Sequence, residues 1–410
     1  RRQVFTLLPT APRRRGMQDV ESRSLSMLRR SPALHTGSLI AANGRFACYA
    51  IPSGVIRVID RQTEALGLLR GHTREAVDLS ITAGGGDECL LAAVANDGQA
   101  LVWRVRAGGS AVQSERLLSV KVDGTSPGAD DRIVLCPQGG PPGGPPLVAA
   151  ILNGSAMLWD APSGGEAAPP GPPSPLGCGA AAAVALAAAP AGSGEAVVAV
   201  GAASGDVALR LCRPGGGEVS AAPLLFTAHG GAVSGLALLE PEGAGEGARL
   251  LLTLGEENRE VKLWRADLRA GSAACERVLS IDAPPSPPLL AALEPRTRTL
   301  LLVSAACDPA NGPMAVAAST ITAYAIGGGA APAFAPPARF NASAGVLSFS
   351  PIVAPGPDAA LDLQLLCVML DGVQCLTIAA HQLPAPPAPA AAAHQLAAPP
   401  PAAAAAAPSP

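Results

Sequence analysis

The chain is short of charge, of aromatic rings and of lysine. Of its 410 residues only 15% are charged and 3% aromatic, and Lys121 and Lys262 are its two lysines. With 29 Lys+Arg against 32 Asp+Glu the formal net charge is −3. That balance excludes whole-chain electrostatics as a means of gripping nucleic acid or anionic lipid. The nine cysteines are odd in number and none lies at C-x-x-C spacing. A zinc module, a thioredoxin-like redox motif and a disulfide scaffold are therefore poorly supported. Free thiols in apolar stretches pack as small hydrophobes, and a reducing compartment is expected. A phosphate-cradling G-x-x-x-x-G-K-[ST] loop and a G-x-S-x-G nucleophile elbow are both missing. No two of the five histidines stand at i, i+4, so helical metal ligation is unsupported. Leu176 to Gly194 is uncharged but consists mostly of Ala and Gly with Pro190 inside; it reads as strand and loop, and no membrane segment is expected.

What is abundant is apolar residues, at 49%, together with 46 Gly and 42 Pro. Such a chain can bury a large core and breaks often into turns. The pattern that organises it is a recurring short strand: Gly54-VIRVI, Gly98-QALVW, Gly154-SAMLW, Gly205-DVALR, Arg259-EVKLW, Ser319-TITAY and Gly372-VQCLT. Their last positions, Ile59, Trp103, Trp159, Arg210, Trp264, Tyr324 and Thr377, are spaced by 44, 56, 51, 54, 60 and 53 residues. Within each segment two alternate positions form a pair, from Ile56/Val58 to Gln374/Leu376, and 13 of those 14 residues are apolar. Alternation with period two buries one face of a strand. Earlier apolar runs precede each hairpin, for example Cys89 to Ala95 and Leu363 to Leu370, and other strands flank them. Four antiparallel strands in every 40–60 residues describe a blade of a β-propeller.

The expected fold is all-β: a seven-bladed WD-repeat-like β-propeller over residues 37–383, with the paired aliphatic positions as its inner wall. Residues 1–36 form an Arg-rich lead-in, and 384–410 an Ala/Pro-rich linker or tail with no large side chain to bury. Val4 to Leu8 is the candidate strand for closing the ring in the blade that contains Leu363 to Ile378. The Pro/Gly-rich stretches Gln138 to Pro146 and Pro162 to Gly177 belong at the rims and cannot add to a ladder. The start at Arg1 suggests an excerpt of a longer protein. WD-type signature residues recur in order: His72, Asp97 and Trp103 in the second unit, Trp159-Asp160 in the third, and His229, Thr253, Asn258 and Trp264 in the fifth. A loop His, a strand hydroxyl, a turn carboxylate or amide and a strand Trp can form a buried hydrogen-bonded chain. These are structural positions. No catalytic, cofactor-binding or metal-binding residue is assigned, and no nucleophile–base set can be assembled, so an enzyme is not expected. Glu256-Glu257 and Asp87-Glu88 read as solvated turn carboxylates, and the arginines at 70, 74, 104 and 106 as surface charge.

Specific strings add a family. GSLIAANGRFACYAI (37–51), GVIRVID (54–60), LLRGHTREAVDLSI (68–81) and DGQALVWRV (97–105) follow one another. GEENREVKLWRADLRAGSAACERVLSI (255–281) and LDLQLLCVMLDGVQCLTI (361–378) complete the set. In this order the chain resembles the amino-terminal propeller of the enhancer of mRNA-decapping protein 4 family, called Varicose in plants. The resemblance implies a non-catalytic scaffold of cytoplasmic processing bodies, partnered by the decapping enzyme and its activator subunit. It further implies oligomerisation through a carboxy-terminal region beyond this sequence. Two other readings stay open: a generic WD-repeat adaptor, for instance in ubiquitin-ligase substrate recruitment, and direct RNA binding through the Arg-rich lead-in. RNA contact through bound partners is the expectation in the first reading.

Overall fold

The computed structural model describes residues 2–6, 18–30, 37–121, 131–136, 146–161, 174–176, 179–188, 195–213, 223–240, 248–283, 289–307, 316–328, 332–342, 344–356 and 360–387. Its strands fall into seven sheets, each built from consecutive stretches of chain except that the sheets of blades five, six and seven each add one strand from the first 27 residues. Blade one comprises Ile40–Ala42, Phe46–Ala50, Ile56–Asp60 and Leu66–Leu69; blade two comprises Ala76–Ile81, Glu88–Ala95, Gln99–Ala107 and Val112–Lys121. The pattern repeats through blade seven, whose own strands are Val346–Pro355, Leu361–Met369 and Gly372–Ile378. The all-β, seven-bladed propeller expected from the sequence is the observed fold.

Closure of the ring differs from expectation. The fourth strand of blade seven is Glu21–Met27, antiparallel to Gly372–Ile378. Val4 to Leu8 does not perform this role: Arg2–Thr6 lies parallel on Ser272–Asp282, the outer edge of blade five, and residues 7 and 8 lie outside the described residues. The reason is reach and burial. Glu21–Met27 precedes Ile40, the start of blade one, by 13 residues, and the backbone after it continues to pair as Arg30 N–H donates to Leu370 O. As an outermost strand it is mostly exposed, so ESRSLSM needs no apolar alternation and shows none. A second correction concerns Pro162 to Gly177. Ser174–Pro175 does pair, as a two-residue outer strand on Met157 and Leu158, because an edge strand tolerates a missing N–H.

All 13 apolar residues of the alternating pairs are buried. They sit in the third strand of each blade and do not form the inner wall, contrary to the sequence reading. Ala100 and Val102 of blade two, for instance, pack with Ile133, Leu135 and Val148 of blade three, so the core lies between blades. The channel wall is the first strand of each blade. First strands pack closely on one another at six of the seven joints; the exception is the joint of Val233–Leu239 with Leu290–Glu294, between blades five and six. Small polar side chains lace this inner ring. Asp78 accepts from Ser38 N–H at 2.7 Å and from Ile133 N–H at 2.9 Å, tying blades one, two and three. Ser348 Oγ accepts from Leu39 N–H at 2.9 Å and Ser319 Oγ from Val346 N–H at 2.9 Å, tying seven to one and six to seven. The uncharged stretch Leu176 to Gly194 contributes Ala181–Ala188, the first strand of blade four. Among the described residues no helix is long and apolar enough to cross a membrane.

Candidate partner-binding surfaces

In a four-stranded antiparallel blade the links from second to third strand, and from one blade to the next, emerge on one face of the ring. That face carries the loops that hold His72, Asp97, His229 and Glu256 to Asn258. Beneath it the sequence-predicted polar positions meet unequally.

Blade five forms a complete chain. Trp264 Nε1–H donates to Thr253 Oγ1 at 3.0 Å, and Thr253 Oγ1 stands 2.8 Å from His229 Nε2. His229 Nδ1 lies 2.9 Å from Glu260 Oε2, which in turn takes Lys262 Nζ at 3.0 Å. A carboxylate can only accept, so Nδ1 carries the proton. Nε2 is then the acceptor for the threonine hydroxyl, whose lone pair is left for the indole. Burial lowers the His229 pKa, against the opposing pull of Glu260, and keeps this neutral tautomer. The carboxylate of the chain is Glu260, not Asn258 as the sequence suggested. Asn258 instead donates from Nδ2 to Leu289 O at 2.6 Å and accepts from Ser234 Oγ at 2.7 Å, bridging blade five to blade six.

Blade two stops halfway. His72 Nδ1 is 3.3 Å from Asp97 Oδ1, and its ring stands edge-on to Trp103 at 5.8 Å between centroids. The register position equivalent to Thr253 is Ala93, which has no hydroxyl. His72 Nε2 accordingly finds no partner among the described residues. Blade three is barer still. Trp159 is buried, Ala150 stands at the hydroxyl position, and Trp159 Nε1 has no acceptor among the described residues. Asp160, at the end of the same strand, is half-buried. The blade-five chain is satisfied from Trp264 to Lys262, whereas blades two and three each leave one buried ring nitrogen without a partner among the described residues.

Surface features divide between paired and unpaired charge. Arg104 is taken by Glu115 at 2.9 Å and Glu88 at 3.2 Å, and Arg106 by Glu88 at 2.5 Å. Arg70 and Arg74 are exposed on the loop before blade two and make no ion pair among the described residues. The turn of blade five is unusual: Glu256, Glu257 and Asn258 are three consecutive non-glycine residues at positive φ, 51°, 54° and 69°. Left-handed backbone costs roughly 1–2 kcal/mol per such residue, and the Asn258 bridge helps hold it. At the joint between blades five and six the channel widens into a cavity of about 210 Å³. Sequence reasoning missed this cavity, because it arises from the spacing of two blades and not from any local motif. Of the seven cysteines whose side chains are described six are buried, and burial pushes the Cys89 and Cys212 thiols up to about 12, so these behave as apolar packing groups.

Comparison with known proteins agrees with this architecture. The WD40 domain of Toxoplasma gondii coronin is similar over 89% of this chain and 87% of its own, with a TM-score of 0.57 at 13% identity. The β-propeller domain of Myceliophteria thermophila Cps50 (Swd1) is similar over 87% of this chain and 99% of its own, with a TM-score of 0.52 at 12% identity. At such identities the likeness is one of fold alone. No curated protein matches the chain. Residues 30–139, which hold blades one and two and the first strand of blade three, match the family model of the WD40 region of Ge1, enhancer of mRNA-decapping protein; the chain is thus a seven-bladed propeller whose opening blades are similar to that region.

Proposed function

We propose that this propeller is a non-catalytic scaffold in mRNA decapping, which docks the decapping enzyme and its activator subunit during cytoplasmic mRNA decay in processing bodies. The observation that carries the reading is the match of residues 30–139 to the Ge1 WD40 region. A rigid ring of seven sheets supports it physically: a preformed face loses little conformational freedom on binding, so modest contacts with peptide segments suffice. The polar networks of blades two and five serve packing, which leaves the loops and edges for partners. The test is affinity capture from a nuclease-treated lysate with the 410-residue chain as bait. Retention of decapping enzyme and activator after nuclease is the expected result. Failure to retain any decapping factor, or loss of all of them with the RNA, would overturn it.

A further inference from the structure

The first strands of blades five and six are half-exposed where those of blade one and most of blade two are buried. Between them the cavity of about 210 Å³ is walled by Leu236, Leu254, Leu290, Leu293 and, across the channel, Phe349. We propose that this opening is a socket for one large apolar side chain of an extended peptide from a protein partner, with a Lys or Arg beside that side chain meeting Glu256 and Glu257. The kind of ligand rests on the protein-docking reading above; the socket itself rests on the geometry alone.

Three observations select this occupant. First, size: a buried apolar cavity of roughly 150 Å³ accepts a benzene ring, so this one holds a leucine, methionine or phenylalanine side chain. Second, chemistry: the polar side chains in the lining are already engaged. Ser38 Oγ donates to Ile40 O, Ser348 Oγ accepts from Leu39 N–H, and Ser234 and Asn258 bond each other. None is left to require a polar ligand, and an apolar group gains by removing the leucine wall from water. Third, charge: Asn258 lines the cavity, and the two residues before it are exposed carboxylates. Glu257 shares Arg259 at 2.9 Å, whereas Glu256 makes no ion pair among the described residues. Both belong to the left-handed turn that ends at Asn258, a residue of the cavity wall, and their charge suits a basic neighbour of the inserted side chain.

The experiment is selection of a random heptapeptide library displayed on phage against the full chain, followed by affinity measurement with the recovered synthetic peptides. Two variants accompany the wild type. Ala291→Phe fills the cavity from its wall, and the double substitution Glu256→Lys/Glu257→Lys reverses charge at exposed positions that the fold does not need. Recovered peptides are expected to share a large apolar residue next to Lys or Arg, and to bind each variant at least tenfold more weakly. Undiminished binding to Ala291→Phe, or to the charge-reversed protein if the first variant does not fold, would overturn the socket. Should decapping factors be captured equally by wild type and Ala291→Phe, the socket falls and the scaffold reading stands. A recovered peptide motif without any captured decapping factor has the reverse meaning.

Discussion

A single hydroxyl decides whether a blade completes its internal chain. Thr253 satisfies Trp264 on one side and His229 on the other, both buried. Thr253→Val keeps the shape and strands two ring nitrogens, each at about 1–3 kcal/mol. A loss of about 2–4 kcal/mol in urea unfolding is expected, with the fold retained by circular dichroism. The converse holds at Ala93, whose register position matches Thr253. Ala93→Ser offers a donor to His72 Nε2, which now lacks a partner among the described residues, and should raise stability by about 0.5–1.5 kcal/mol in the same assay. The ordered occurrence of His72, Asp97 and Trp103, and of His229, Thr253 and Trp264, was readable from the letters because each residue type has a fixed place along a blade. The role of Glu260 was not, since Asn258 lies two residues away in a turn whose left-handed backbone sends it to a different partner.

At the level of strands, burial pattern decides what can be read. Third strands declare themselves because every one has neighbouring blades on both sides, and their alternate positions must be apolar. First and outer strands are quieter. Leu290–Glu294 is only partly buried and Glu21–Met27 mostly exposed, so neither carries a strong period-two signal. The inner ring is instead held by side chains that a hydrophobicity pattern ignores, and Asp78 is the clearest case. Its carboxylate accepts backbone N–H groups from the flanking blades on both sides, while burial raises its pKa to about 6, against the opposing pull of Arg132. An unfolded aspartate titrates near 3.8, so between that pH and about 6 the folded chain holds a proton that the unfolded chain has lost. The stabilisation this gives is complete below about 3.8 and disappears as pH climbs through 6. Asp78→Asn cannot titrate. Its stability relative to wild type should therefore improve by up to about 3 kcal/mol between pH 4 and pH 7.5. Urea midpoints measured across that range check the slope, and a difference independent of pH would contradict it.

For the whole molecule the governing fact is that a ring has no free edge between its first and last blades. The chain achieves this by lending Glu21–Met27 to blade seven, so residues from both termini share one sheet. The same segment fastens blade one to the seam, as Ser26 Oγ meets Tyr49 Oη at 2.7 Å and Arg23 pairs with Glu64 at 3.1 Å; just beyond it Arg30 pairs with Glu75 in the loop to blade two. Arg2–Thr6 contributes nothing to that seam, because it only adds a fifth strand outside blade five. Two truncations separate the roles. Removing residues 1–17 leaves every seam contact in place and should shift the melting temperature by less than about 2 °C. Removing residues 1–27 exposes Gly372–Ile378 as an edge and frees the first blade; at about 1–2 °C per kcal/mol for a domain of this size, the loss of one strand ladder and its side-chain bonds should lower the melting temperature by about 3–8 °C. It should also broaden the transition, since an open ring can fray from blade seven inwards instead of melting as a unit. Calorimetry on the three lengths reads both effects. Equal melting of all three would mean that the seam is held by the packing of Leu39 and Ile40 against blade seven alone, with the borrowed strand a passive rider.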